Sequence, residues 1–303
     1  MTLYGGIELG GTNIVCAYAS HPTETLIDGQ NRYEFRTTSQ PQDAVQSIAA
    51  FFSQAPAPVI KIGVASFGPI DIKKGMITTT PKLGWRDFPL IERLQDALPN
   101  VQFHFESDVN GAAVGEWRYG AGKGLSSLVY VTIGTGIGGG IITSNHVLHG
   151  NSTPEMGHIP VKLHPYDLEH QFSGNCIYHQ TQENLCLEGL ASGEAIKKRW
   201  GWDDFKPSNP NWELAWEVQA FYVAQLATHI IYMVSPERII LGGGVILNQL
   251  EMLVLVRKNI QQILNGYVNN ALVFSAIDHF IVAPALGDNA GIVGALSLAY
   301  DTQ

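Results

Sequence analysis

The chain has 303 residues, a formal charge of −9 from 18 Lys and Arg against 27 Asp and Glu, and 45% hydrophobic residues. That length is about two domains at ~150 residues each, and the hydrophobic content excludes a disordered chain. Only 15% of residues are charged, against a typical ~25%, and Lys and Arg do not cluster, so no nucleic-acid partner is expected. Glycine is over-used at 32 residues, roughly 11% against an average of ~7%. Many of these glycines end apolar runs, where a bare backbone lets a ligand come close. Three cysteines, an odd number, argue against a disulfide-stapled secreted protein. No basic stretch followed by an apolar one opens the chain, so no secretory signal is expected. The uncharged stretch 124–154 is interrupted by Gly134-Thr135-Gly136-Ile137-Gly138-Gly139-Gly140, too polar for a membrane span of ~20 apolar residues. The expectation is a cytoplasmic protein with no membrane partner.

In chain order, residues 5–19 read as apolar strand, Gly10-Gly11-Thr12 turn and apolar strand. This is a β-hairpin whose tip glycines are expected at positive φ. Residues 42–52 place Val45, Ile48, Ala49 and Phe52 on one helical face. Residues 59–66 read as a buried strand ending at Phe67-Gly68-Pro69, 91–98 as a short helix and 101–106 as a strand. A helix follows over 108–119, with Ser107 or Asp108 at its N-cap. Residues 129–143 repeat the hairpin pattern, with Gly134 about 124 positions after Gly10, too far for a solenoid repeat but suited to a duplicated domain. The second half holds a long helix over 212–234, a strand over 238–241 running into Gly242-Gly243-Gly244, a helix over 248–264 and a final helix over 289–300. Strands alternating with helices give an α/β class. No low-complexity linker separates the halves, so the domains are expected to pack across a cleft.

Three motifs carry chemistry. Glu8-Leu9-Gly10-Gly11-Thr12-Asn13 presents free backbone N–H groups and a hydroxyl, which suits a phosphate, although an ordinary glycine hairpin reads the same way. The run at 134–140 adds a second such tip, and Gly242-Gly243-Gly244 is a turn able to lie against a base or ribose. No P-loop and no dinucleotide fingerprint occurs. In Glu106-Ser107-Asp108-Val109-Asn110, a carboxylate stands where a strand gives way to a helix. The helix N-terminus stabilises its charge, a good place for a general base, although taken alone Asp108 reads first as an N-cap. Cys176, His179 and Cys186, with His158 upstream, offer the four thiol and imidazole ligands of tetrahedral zinc. The alternative is a buried cysteine pair with incidental histidines. With all four positions filled by protein, the zinc would be structural. The remaining histidines, His21, His104, His146, His149, His164, His170, His229 and His279, lack such company and receive no role. Cys16 is read as core.

Together these residues resemble the ROK family of sugar kinases and repressors, within the actin-like ATPase superfamily. The resemblance runs from Gly6-Ile7-Glu8-Leu9-Gly10-Gly11-Thr12 through Thr80-Pro81-Lys82-Leu83-Gly84-Trp85, Glu155-Met156-Gly157-His158 and Cys186-Leu187-Glu188-Gly189 to Gly287-Asp288-Asn289-Ala290-Gly291. Within the family the chain looks most like the zinc-containing bacterial fructokinases. The resemblance implies two actin-like (ribonuclease H-like) domains with a cleft between them: residues 1–120, onto which a C-terminal helix at about 289–303 packs back, and residues 121–288, with a zinc-binding loop at 155–188. It further implies a homodimer that phosphorylates D-fructose to D-fructose 6-phosphate with ATP and Mg²⁺. Another hexose (glucose, mannose or an N-acetylhexosamine) and a non-catalytic sugar sensor are the alternatives. Asp108 matches the catalytic base. Gly68, Asn110, Glu155 and Glu188 match the sugar side, and His158, Cys176, His179 and Cys186 the zinc ligands. Gly10, Gly11, Thr12, Asn13, Gly134, Thr135 and Gly136 match the phosphate loops, and Gly242, Gly243 and Gly244 the adenosine side. The chain departs from the family at Glu8, where many relatives have Asp, at Asn13, where Lys is frequent, and at Ser107, which replaces an Asn of glucose-specific members and so favours fructose. The stretch from His179 to Cys186 is longer than usual and must fold back for Cys186 to reach a metal. No helix-turn-helix precedes the first strand, which argues against the repressor branch.

Overall fold

The computed structural model describes residues 2–24, 29–179, 181, 184–268, 273 and 275–301, with Gln30 described by its backbone alone. In chain order the strands are β1 (Leu3–Leu9), β2 (Asn13–Ala19), β3 (Arg32–Arg36), β4 (Val59–Ser66), β5 (Ile70–Asp71), β6 (Met76–Ile77), β7 (Gln102–Ser107), β8 (Leu128–Ile133), β9 (Ile137–Thr143), β10 (His146–Val147), β11 (Ile239–Gly242) and β12 (Ile281–Val282). The helices used below are α1 (Pro41–Ser53), α2 (Leu90–Ala97), α3 (Asp108–Tyr119), α4 (Pro165–Glu169), α5 (Leu187–Ala191), α6 (Gly193–Trp200), α7 (Trp212–Met233), α8 (Gly244–Leu247) and α9 (Met252–Leu264), followed by a final helix over Ala290–Tyr300. The alternation is the α/β class expected from the sequence.

Two compact units form. The first gathers Met1–Gly124, Gly140–Thr153 and Ala285–Gln303, and the second Leu125–Gly139 with Pro154–Pro284. One five-stranded sheet has the order β3-β2-β1-β4-β7 and the other β10-β9-β8-β11-β12. Each begins with the neighbouring strands of a glycine hairpin and continues with a strand reached by a parallel crossover, β4 beside β1 and β11 beside β8. The repeated hairpin pattern in the sequence is therefore a repeated sheet topology.

In the first unit, Ile7, Leu9, Ile14, Cys16, Ile62 and Val64 of the sheet bury against Val45, Ile48 and Phe52 of α1 and against Trp85. The opposite sheet face takes α3 and the final helix. Here the glycines serve close approach: a Cβ at Gly63 would collide with the Ala295 carbonyl, and one at Gly294 with the Gly111 carbonyl. In the second unit, α7 is buried nearly all round, with Trp216, Tyr222, Val223 and Ile230 among its covered residues, and it packs on α9.

Four local expectations need correction. The tip glycines Gly10, Gly11, Gly134 and Gly136 do not use positive φ. Gly10 is needed for space instead, because a Cβ would lie 2.9 Å from the Asn13 carbonyl, whereas at Gly136 a Cβ would meet only the end of the Glu188 side chain, at 2.7 Å. The helix expected over 248–264 begins only at Met252. Asn248 closes the preceding α8 by donating its side-chain amide to the Gly244 carbonyl at 2.7 Å. The zinc-binding loop expected at 155–188 is not all loop: it contains the five-residue α4, opened by Pro165 and capped by the His164 ring. Strand β3 went unread, since its Arg32-Tyr33-Glu34-Phe35-Arg36 alternation is charged on one face and only partly covered on the other. Among the described residues, no helix is long and apolar enough to cross a membrane.

Candidate active site

In the first unit the tip between β1 and β2 is closed by Gly10 N–H donating to the Asn13 carbonyl at 2.9 Å. Thr37, just beyond β3, stitches it from the side. Its N–H donates to the Thr12 carbonyl at 2.8 Å, and its hydroxyl to the Gly10 carbonyl at 2.8 Å. Gly11 and Thr12 are left exposed. Asn13 opens β2, its side-chain amide donating to the exposed Glu34 at 2.8 Å. Gly68 follows the end of β4, where Phe67 N–H donates to the Leu9 carbonyl at 2.8 Å.

Asp108 stands at the corner from β7 into α3. Ser107 takes the cap, its hydroxyl accepting from Asn110 N–H at 3.2 Å. That frees Asp108 for the first helical turn, where the helix dipole favours its negative charge, and its Oδ1 accepts from Val109 N–H at 2.9 Å. Asn110 is 1% exposed and donates its amide to Glu106 at 2.9 Å, while its Oδ1 has no hydrogen-bond partner. Glu106 is buried, and its Oε1 also accepts from Ser107 N–H at 2.8 Å. Its Oε2 meets His149 Nε2 at 2.5 Å. His149, given no role from the sequence, thus supports the corner that presents Asp108; forty-three positions of separation hid the pairing, and only the burial of Glu106 at a strand end hinted at a partner. Glu8, at the end of β1, is pushed up to about 7 by burial and then by the Asp108 charge, opposed by Arg32 and reinforced by Glu34 and Asp288. A cluster of carboxylates that holds a proton near neutrality suits a cation.

In the second unit, Gly134 N–H donates to the Gly136 carbonyl at 2.9 Å, and Gly193 N–H, at the start of α6, donates to the Gly134 carbonyl at 2.7 Å. Thr135 is exposed at the tip. Glu188, on α5, accepts from Ile137 N–H at 2.8 Å through Oε2, and its Oε1 lies 3.9 Å from His158 Nε2. Glu155 is exposed beside the turn of helix Met156–His158. Gly243 has φ +83°, and a Cβ there would lie 2.5 Å from the Ile133 backbone; Gly242 lies close against the Tyr130 hydroxyl, and Gly244 opens α8.

His158, Cys176, His179 and Cys186 place their ligand atoms within 4.8 Å of one another. Cys176 Sγ lies 3.9 Å from His158 Nδ1 and 3.4 Å from His179 Nδ1, and Cys186 Sγ lies 3.6 Å from His158 Nδ1. A zinc tetrahedron with its usual bond lengths has S···N edges of about 3.5 Å, so the set fits such an ion. Burial pushes the Cys186 thiol up to about 12, so a thiolate there calls for a cation. The extra length between His179 and Cys186 does not keep Cys186 away: its N-cap position on α5 and a bridge to Pro160 bring it back. Nearby, Asp167 and Arg199 pair at 2.7 Å with 0% and 1% of their side chains exposed, and the Tyr222 hydroxyl donates to Asp167 at 2.6 Å. This buried triad fixes α4, within the same loop, to α6 and α7.

The ROK family profile matches residues 4–302. The fructokinase of Zymomonas mobilis subsp. mobilis is 38% identical over 99% of this chain and 97% of its own. The fructokinase of Pediococcus pentosaceus is 37% identical over 98% and 97%. Among solved structures, a ROK family glucokinase from Streptomyces griseus in complex with glucose and AMPPNP superposes with a TM-score of 0.77 at 26% identity, over 99% of both chains. The duplicated α/β topology is thus the actin-like fold of these kinases, and the chain belongs to the ROK family.

Proposed function

We infer that this protein transfers the γ-phosphoryl group of ATP to D-fructose, giving D-fructose 6-phosphate. The observation that carries the reading is its likeness, along nearly its whole length, to fructokinases at 37% and 38% identity. Phosphoryl transfer asks a protein for alignment, charge neutralisation and a base. Asp108 is the base: a partly covered carboxylate in the first turn of α3, able to take the proton of the sugar 6-hydroxyl as the new O–P bond forms. The hairpin tips at residues 10–12 and 134–136, whose Gly10 and Gly134 N–H groups close the turns, hold phosphate oxygens with the remaining tip groups, and the turn at 242–244 lies on the adenosine side. Gly68, Glu155 and Glu188 serve the sugar side, with Asn110 acting from beneath, through Glu106. Mg²⁺ bound with the nucleotide neutralises phosphate charge, and Glu8 with Asp288 would face it. His158, Cys176, His179 and Cys186 hold a structural Zn²⁺ that ties the loop together. A homodimer is the expected assembly, and light scattering reads it directly.

A hexose panel with coupled ADP detection tests the reaction. Fructose is expected to give the highest kcat/KM, and turnover of another hexose at tenfold the fructose value would overturn the choice of sugar. Asp108→Asn is expected to keep AMPPNP binding and to lower kcat at least ~10²-fold; near-normal turnover would remove Asp108 from the mechanism. Metal analysis is expected to find about one zinc per chain, and less than half an equivalent would refute the ligand set.

A further inference from the structure

One cation beside the first glycine hairpin has a ring beneath it but no carboxylate partner among the described residues. Lys82 lies at the start of the short helical turn Leu83–Trp85. Its Cε lies 3.8 Å from where a Cβ on Gly11 would stand, so its side chain reaches the hairpin tip. Its ammonium sits 5.9 Å from the centre of the Phe67 ring, and among the described residues it forms no ion pair. A partly covered lysine whose ammonium has no ion-pair partner among the described residues, beside the exposed Gly11 and Thr12 of a hairpin tip, is suited to meet an anion.

The placement is rigid. Trp85 Nε1 donates to the Thr38 carbonyl at 2.8 Å, and Gly84 packs so tightly on the Ser39 carbonyl that any side chain there would collide with it. The same segment reaches the hairpin through Thr37, whose N–H and hydroxyl hold the Thr12 and Gly10 carbonyls. Residues 37–39 and the Lys82 turn line one cavity of about 370 Å³, and Thr37 ties that wall to the hairpin tip. Lys82 is the only charged residue in that lining.

We propose that Lys82 is a catalytic residue of the phosphoryl transfer, its ammonium touching the oxygens of the phosphoryl group in transit. The proposal rests on the reading of residues 10–12 as a phosphate hairpin. The chemistry is electrostatic: negative charge gathers on the transferred group, and a fixed cation next to it stabilises the transition state without giving or taking a proton. The phosphate it meets belongs to the ATP γ-position before transfer and to the sugar 6-position after it.

The test compares Lys82→Met, Lys82→Ala and Lys82→Arg in the full chain. Methionine keeps an apolar stem without the charge. A merely structural lysine would leave the Met variant close to wild type and only the Ala variant impaired. The proposal expects kcat of both to fall ~10²-fold or more, Arg to recover at least tenfold, and thermal midpoints to stay within about 3 °C. Titrations with AMPPNP and, separately, fructose 6-phosphate identify the source: a Kd raised fivefold or more for one names that phosphate, and unchanged values for both place the contact in the transition state. A Lys82→Met kcat/KM within threefold of wild type overturns the proposal. If wild-type protein phosphorylates no hexose, the kinase reading has failed first, and the AMPPNP titration then decides alone whether Lys82 meets a phosphate: an unchanged Kd overturns the proposal in that case.

Discussion

The two glycine hairpins look alike in sequence and sit at equivalent places in the two sheets, yet they are braced by opposite means. The backbone of the first is held by neutral groups, the Thr37 N–H and hydroxyl, while Glu34 takes only the Asn13 side-chain amide and an ammonium lies near the tip. The second is held by a carboxylate, Glu188, at its Ile137 N–H, and by Gly193 N–H at Gly134. The first hairpin therefore has its backbone braced without a charge, while the second shares one of its N–H groups with an internal negative charge. A glycine signature tells that a backbone must be bare, and the groups around it tell what the bareness is for.

The largest effect that would break this contrast is at the base of the second hairpin. Gly243→Ala puts a methyl 2.5 Å from the Ile133 backbone at φ +83°, where neither partner can yield. A loss above about 3 kcal/mol is expected, read by chemical denaturation. Gly11→Ala meets only Lys82 Cε at 3.8 Å and should stay within about 0.5 kcal/mol. Next comes metal removal. Cys186 caps α5 and Glu188 lies in its first turn, so a zinc chelator should lower the thermal midpoint by at least about 5 °C and raise KM for ATP several-fold. Unchanged melting would detach the cluster from the hairpin. Smaller again is the matched pair Glu188→Ala and Thr37→Val. The first orphans the Ile137 N–H, worth about 1–3 kcal/mol, and the second deletes one neutral bond worth about 1 kcal/mol. Steady-state kinetics should show KM for ATP raised more by Glu188→Ala; if only KM for fructose moves, Glu188 braces nothing.

The last test is the pH dependence from Glu8. Its folded pKa of about 7 lies above the ordinary 4.5, so between those values the folded state holds the extra proton. Its contribution therefore falls as pH rises from about 4.5 to about 7 and is flat above. Glu8→Gln should abolish that fall, so without nucleotide or Mg²⁺ its melting advantage over wild type should be greater at pH 8 than at pH 5. An equal difference at both would show that Glu8 ionises normally.

Much of the fold was legible because the relevant signals are local. The α3 boundary, β4 and both hairpins were written in apolar runs, glycines and a cap. What stayed hidden depends on distant partners. His149 gained meaning only when β9 and β10 brought it to Glu106. Lys82 stood inside a recognised motif without a stated task, because its neighbour Gly11 lies seventy-one positions earlier. The cysteine and histidine cluster was readable because its ligands are chemically rare. The buried Asp167–Arg199–Tyr222 triad was not, since charged residues are common and nothing in their spacing marks a pair that leaves water.

The three-part make-up of the first unit bears on how the molecule is born. Its sheet can pair as soon as residues up to 107 have emerged, but the face crossed by Gly6 and Gly63 stays uncovered until Ala290–Tyr300 arrives. During synthesis at ~5–20 residues per second, that greasy surface waits roughly ten seconds or more for its lid, while the second unit is made in between. Chaperone engagement should therefore peak on nascent chains ending between about residues 110 and 285, and a nascent chain cut short before Ala290 should never lose it.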